Sequence, residues 1–121
     1  MRKALLIVVL LLAITTPTLA QTCTLYVGWQ DTSADEDGFR IERGTCTGVD
    51  PSTCSGFAEV HVTAANVTTW QNDGLTAGVI YGYRVRAFIA SASPPESGYT
   101  NVGTREACFG TRIRIRRTPV E

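Results

Sequence analysis

Four arginines near the C-terminus, Arg112, Arg114, Arg116 and Arg117, form the most chemically pointed pattern in the chain. The first three alternate with Ile113 and Ile115, so an extended strand here projects its arginines from one face at about 7 Å intervals. Guanidinium groups in such a row suit carboxylates, sulfates or phosphates, which they grip through paired N–H donors. The same pattern has a plainer use. Repeated charge on an edge strand blocks sheet-to-sheet aggregation.

The other ionisable groups give little chemistry. Asp31, Asp35, Glu36 and Asp37 crowd one polar turn, whereas paired carboxylates in acid–base work need separate environments in a cleft. A calcium loop counted from Ser33 would need a glutamate at its twelfth position, which is Gly44. This turn is expected to be solvated, its acids bonding their own backbone. His61 is the only histidine; it is expected on the outward face of an edge strand, and no G-x-S-x-G nucleophile motif accompanies it. The chain therefore reads as a non-enzyme with no cofactor. Cys23, Cys46, Cys54 and Cys108 have no C-x-x-C spacing, which disfavours a metal site. An even cysteine count in a short exported chain reads as two disulfides, with three possible connectivities.

Export is read from the first twenty residues. Arg2 and Lys3 are followed by an apolar run over 4–14 and then Thr18-Leu19-Ala20, the layout of a signal peptide over 1–20. The run is shorter than the roughly 20 residues a membrane-spanning helix needs. Its removal from the 121-residue chain leaves 101 residues, room for one small domain. It also removes the only lysine, leaving nine arginines against eleven acids. A balance so near neutral carries no global field to gather nucleic acid. Secretion, or residence in a periplasm or on a cell surface, is the expected location.

The elements that must position these side chains alternate with period two, and no helical period occurs. Residues 24–30 place Leu25, Val27 and Trp29 on one face. Over 38–43, Phe39 and Ile41 oppose Arg40 and Glu42. Ala58, Val60 and Val62 then alternate with Glu59 and His61. Residues 66–71 form a short strand, and Asn72-Asp73-Gly74 is expected to end it as a turn. The longest strand, 79–90, sets Tyr81, Tyr83, Val85, Ala87 and Ile89 against Arg84, Arg86 and Phe88. Pro94-Pro95 breaks it, and another strand is expected from 99 to 107. Short strands with turns every eight to twelve residues predict an all-β fold, an immunoglobulin-like antiparallel β-sandwich. Trp70 and Phe88 are expected to serve packing more than sugar stacking. Asn66-Val67-Thr68 meets the glycosylation pattern, which matters only in a eukaryotic host.

Three motifs in order, VGWQDTSADEDGFRIER over 27–43, NVTTWQNDGL over 66–75 and YGYRVRAF over 81–88, resemble a fibronectin type III domain of the bacterial secreted kind. The likeness covers roughly 24–104. It implies a seven-stranded sandwich over 21–108 with Trp29, Tyr83 and Val85 in the core, and a corner closed by Leu75 and a neighbouring tyrosine. The family topology also implies the pairings Cys23–Cys108 and Cys46–Cys54. Two departures stand out. The family's first strand is missing, and the chain continues as an Arg-rich strand or tail over 109–121. The apolar side of that tail is expected to cover the edge left by the lost strand.

The function expected from these features is that of a secreted, non-catalytic binding or adhesion module. Its partner would be an anionic glycan or another extracellular or envelope protein or polysaccharide. Arg112, Arg114, Arg116 and Arg117 are the candidate binding residues. The alternative is a structural or spacer subunit whose sandwich is completed by a partner's strand. Arg84 and Arg86 would extend the arginine face only if the tail lies beside their sheet.

Overall fold

In a computed structural model, which describes residues 22–32 and 35–115, the period-two pattern becomes seven strands. They are β1 (Thr22–Trp29), β2 (Gly38–Cys46), β3 (Cys54–Ala64), β4 (Thr69–Thr76), β5 (Ile80–Phe88), β6 (Gly103–Glu106) and β7 (Arg112–Ile115). The expected signal segment 1–20 and two of the four arginines, Arg116 and Arg117, lie outside the described residues. The strands form two packed sheets of order β4-β1-β7 and β3-β2-β5-β6, an all-β sandwich consistent with an immunoglobulin-like fold.

Alternation chooses the inner face. Leu25, Val27 and Trp29 of β1 meet Phe39 and Ile41 of β2 and Tyr81, Tyr83, Val85 and Ala87 of β5 in one core. Leu25, Val27, Ile41, Tyr83 and Val85 are essentially sealed from solvent, each such aliphatic burial being worth about 1.5–3 kcal/mol. Leu75 is buried too, and the Tyr81 hydroxyl accepts from the Thr76 N–H at 3.0 Å, closing the corner between β4 and β5.

β7 runs parallel to β1, pairing Tyr26 with Arg112, Val27 with Ile113, Gly28 with Arg114 and Trp29 with Ile115. Every other strand pair is antiparallel. Ile113 and Ile115 are buried against the core, and β1 has β4 on one side and β7 on the other, both from the same chain. The sandwich closes along this side because Gly103 of β6 has no side chain. A Cβ there would stand 2.6 Å from Ile113 Cγ2 and 3.1 Å from Ile115 Cγ1.

The cysteines are bonded Cys23–Cys108 and Cys46–Cys54. Cys46 and Cys54 face each other where β2 and β3 meet a short hairpin loop, and that loop is tightened by a single 3₁₀ turn over Pro51–Thr53 capped by Asp50. Both bonds sit at one pole, where β1 begins and β6 ends.

Three sequence expectations are corrected. Asn72-Asp73-Gly74 is not a turn that ends a strand. β4 continues through it to Thr76, and the register slips by one residue between Cys23 and Leu25 opposite it, a β-bulge with Gly74 at φ +70°. A second bulge, in β3, turns the alternation over. It sets His61 opposite the buried Ile41 and leaves Val62, opposite Arg40, 42% exposed. His61 therefore faces inward. Lastly, the strand expected from 99 begins only at Gly103. Over the preceding stretch the Ala87 and Val85 N–H groups bond to the Ser97 and Thr100 hydroxyls instead of a regular ladder.

Candidate functional site

On β7, Ile113 and Ile115 point inward, so Arg112 and Arg114 are set on the solvent face, and both are exposed. The parallel register puts Arg112 beside Tyr26, which is 45% exposed, and Arg114 beside Gly28. β4 lies on the other flank, where Gln71 pairs with Tyr26 and Thr69 with Gly28. The outer face of the three-stranded sheet thus carries two arginines, an exposed phenol ring and short polar side chains.

Gly28 opens this face. A Cβ at that position would meet only backbone oxygens, Ile113 O at 3.8 Å and Thr68 O at 3.9 Å, so nothing stands above the strand. The opening belongs to a groove of about 590 Å³ lined by Thr68, Thr69, Arg114 and the end of β1. That volume is within the range of small-ligand pockets. Asp73 of β4 already accepts from Thr24 Oγ1 and Gln71 Nε2, both at 2.8 Å. Those bonds hold its carboxyl below the usual range. Neither arginine of β7 forms a salt bridge among the described residues.

Arg84 and Arg86 do not extend this face. They belong to β5, in the opposite sheet, and point outward from it. There they build a separate ladder in which Arg84 lies 4.4 Å from the Phe57 ring centre and 4.0 Å from that of Tyr99, with Arg86 4.6 Å from Tyr99. Arg40 covers Phe88 at 4.5 Å in the same way. Stacked guanidinium and aromatic planes give each other favourable electrostatic contact. Glu42 anchors the ladder: one carboxylate oxygen accepts from Arg84 Nη2 at 2.8 Å and Nε at 3.2 Å, the other from Tyr99 Oη at 2.6 Å. Burial works to raise the Glu42 pKa, but the Tyr99 hydroxyl and the Arg84 guanidinium outweigh it and hold the carboxyl below its ordinary value.

The remaining sequence candidates make packing and loop contacts. His61 stacks on Trp70 with ring centres 4.7 Å apart and planes 8° from parallel, bridging β3 to β4 where the two sheets meet. No acid, hydroxyl or thiol joins it in a hydrogen bond among the described residues. The acidic turn is less solvated than expected. Glu36 is only 6% exposed and accepts from the Asn66 N–H at 3.2 Å, while Asp37 Oδ2 accepts from the Ala90 N–H at 2.7 Å. These carboxylates tie neighbouring loops together.

Sequence reasoning missed Asn72. Its side-chain oxygen is buried between the sheets and accepts from Tyr83 Oη at 2.6 Å and Arg43 Nη1 at 3.0 Å. The only signal was an asparagine on the inward phase of a strand, masked by its turn-like neighbours. No family model, curated protein or solved structure matches the chain. Among the described residues no helix is long and apolar enough to cross a membrane. Two disulfides fit an oxidising compartment outside the cytoplasm.

Proposed function

We propose that the protein is a secreted, non-catalytic binding module of fibronectin type III character that engages an anionic extracellular polymer through the outer face of the β4-β1-β7 sheet. One observation carries this reading: Arg112 and Arg114 stand exposed, and without salt-bridge partners among the described residues, beside the Tyr26 ring and the groove over Gly28. Arginines supply forked donors for carboxylate or sulfate groups, and a neighbouring aromatic ring gives a sugar an apolar surface to lie on.

The test is retention of the oxidised protein on sulfated, carboxylated and neutral polysaccharides across a salt series, beside a variant combining Arg112→Ser, Arg114→Ser and Arg116→Ser. Retention on the anionic polymers that weakens with salt and disappears in the variant is the expected result. Equal behaviour of the two proteins would reduce the arginines to guards of the β7 edge and point to a protein partner bound elsewhere.

A further inference from the structure

Arg105 belongs to β6, the edge strand of the sheet opposite β7, and pairs in register with the buried Tyr81. Its side chain therefore leaves β6 on the inward phase. Because β6 is an edge, that side chain runs out across the seam between the sheets, and the residue stays exposed. It ends on the open side of β7. There Thr111 O accepts from the Tyr26 N–H of β1 at 2.7 Å, so the next carbonyl, Arg112 O, points away from β1. Arg105 Nε and Nη2 both donate to Arg112 O, at 3.2 and 2.9 Å.

Gly110 leaves room for this path. A Cβ there would stand 2.8 Å from Arg105 Cδ and 2.9 Å from its Nη1. The carbonyl occupies only the Nε–Nη2 side of the guanidinium. Its end-on pair, Nη1 and the second Nη2 hydrogen, takes no bond within the described residues. Among those residues none of Arg105, Arg112 and Arg114 has a salt bridge. Arg105 thus presents a free fork that the backbone of β7 already holds in place, which lowers the ordering cost of binding an anion.

We propose that Arg105 and Arg112 together form a subsite for a tetrahedral oxyanion ester, sulfate or phosphate, carried by the polymer that this face binds. The Arg105 fork lies at the Arg112 carbonyl, along the edge of the sheet, while the Arg112 side chain leaves the same residue toward the outer face. A flat carboxylate offers its oxygens in one plane and suits a single fork. An ester of sulfate or phosphate offers oxygens in a tetrahedral arrangement and takes forks from two directions. This subsite rests on the anion-binding reading of the β7 face and adds to it the chemistry of the ligand.

Dextran sulfate, dextran phosphate and carboxymethyl dextran of equal charge density share a backbone and differ in the anion. The oxidised protein is expected to bind at least one of the two esters about tenfold more tightly than carboxymethyl dextran, and the tighter of the two names the ester. Arg105→Lys keeps the charge and loses the planar fork. Gly110→Ala keeps every charge and pushes aside only the far end of a flexible side chain. Each variant should abolish the preference for esters and leave binding to carboxymethyl dextran unchanged, and the two are independent, so either serves if the other does not fold. Arg112→Ser with Arg114→Ser should weaken binding to all three polymers. Equal binding of the three by the unaltered protein, or a preference for esters that survives in either variant, would overturn the subsite and leave the anion-binding face standing. Binding to none of them would overturn both.

Discussion

Asn72 couples the two sheets through a single amide oxygen. It accepts from a buried phenol and from Arg43, an arginine on the inward side of β2, and removing it leaves both donors stranded. Asn72→Ala should lower unfolding stability by about 2–3 kcal/mol, read from urea midpoints. Burial also drives the Tyr83 phenol far above its ordinary pKa, so it stays a donor throughout the usable pH range. Glu42 makes stability depend on acid. Its carboxyl binds a proton less readily in the folded chain than at its ordinary 4.5, so its contribution is complete above pH 4.5 and is lost as pH falls through the lower folded value. Urea midpoints should therefore fall as the pH drops below 4.5, and Glu42→Gln should flatten that slope while lowering the plateau at pH 7. At this scale the sequence was a partial guide. Arg112 and Arg114 lie on the outward phase that their alternation with isoleucine predicts. Glu42 looked like any outward acid until Tyr99 came over it from a loop with no period to read.

Strand identity was largely legible because burial imposes period two wherever one face meets a core, as in β1 and β5. The places where reading failed are those where the backbone inserts a residue. A bulge in β3 inverts the faces of His61 and Val62, and a bulge at Gly74 carries β4 through residues with turn composition. Neither insertion alters composition, so pattern alone cannot register it. β7 shows how much one short element can matter. Deleting residues 109–121 should uncover the β1 edge and the core beneath Ile113 and Ile115, giving aggregation in size-exclusion chromatography and a lower melting temperature. An unchanged monomer with unchanged melting would show that β7 adds nothing to the fold. Gly103→Ala tests the facing side of the same seam. Its methyl would crowd Ile113 and should cost about 1–3 kcal/mol, with part of the loss restored by Ile113→Val.

The whole molecule is polarised. Both disulfides occupy one pole, whereas the groove over Gly28 lies toward the opposite end, where β1 finishes. The two bonds should differ in worth. Cys23–Cys108 joins residues 85 apart and Cys46–Cys54 residues 8 apart, which on the loop-entropy account correspond to about 4.5 and 2.5 kcal/mol. Paired Cys→Ser variants compared by urea unfolding should rank in that order. The long crosslink has a mechanical consequence as well. A pull exerted on the chain before β1 and after β7 would pass from Cys23 straight to Cys108 through sulfur, bypassing the 84 residues between them. Only the segment beyond Cys108 could then be stripped away, and because β7 is already extended its release adds little length. Since β7 lies parallel to β1, that stripping must slide one strand along the other and rupture their shared hydrogen bonds together. Under tension the oxidised domain would act as a short tether with a firm stop, and reduction would turn the same chain into a long, yielding one.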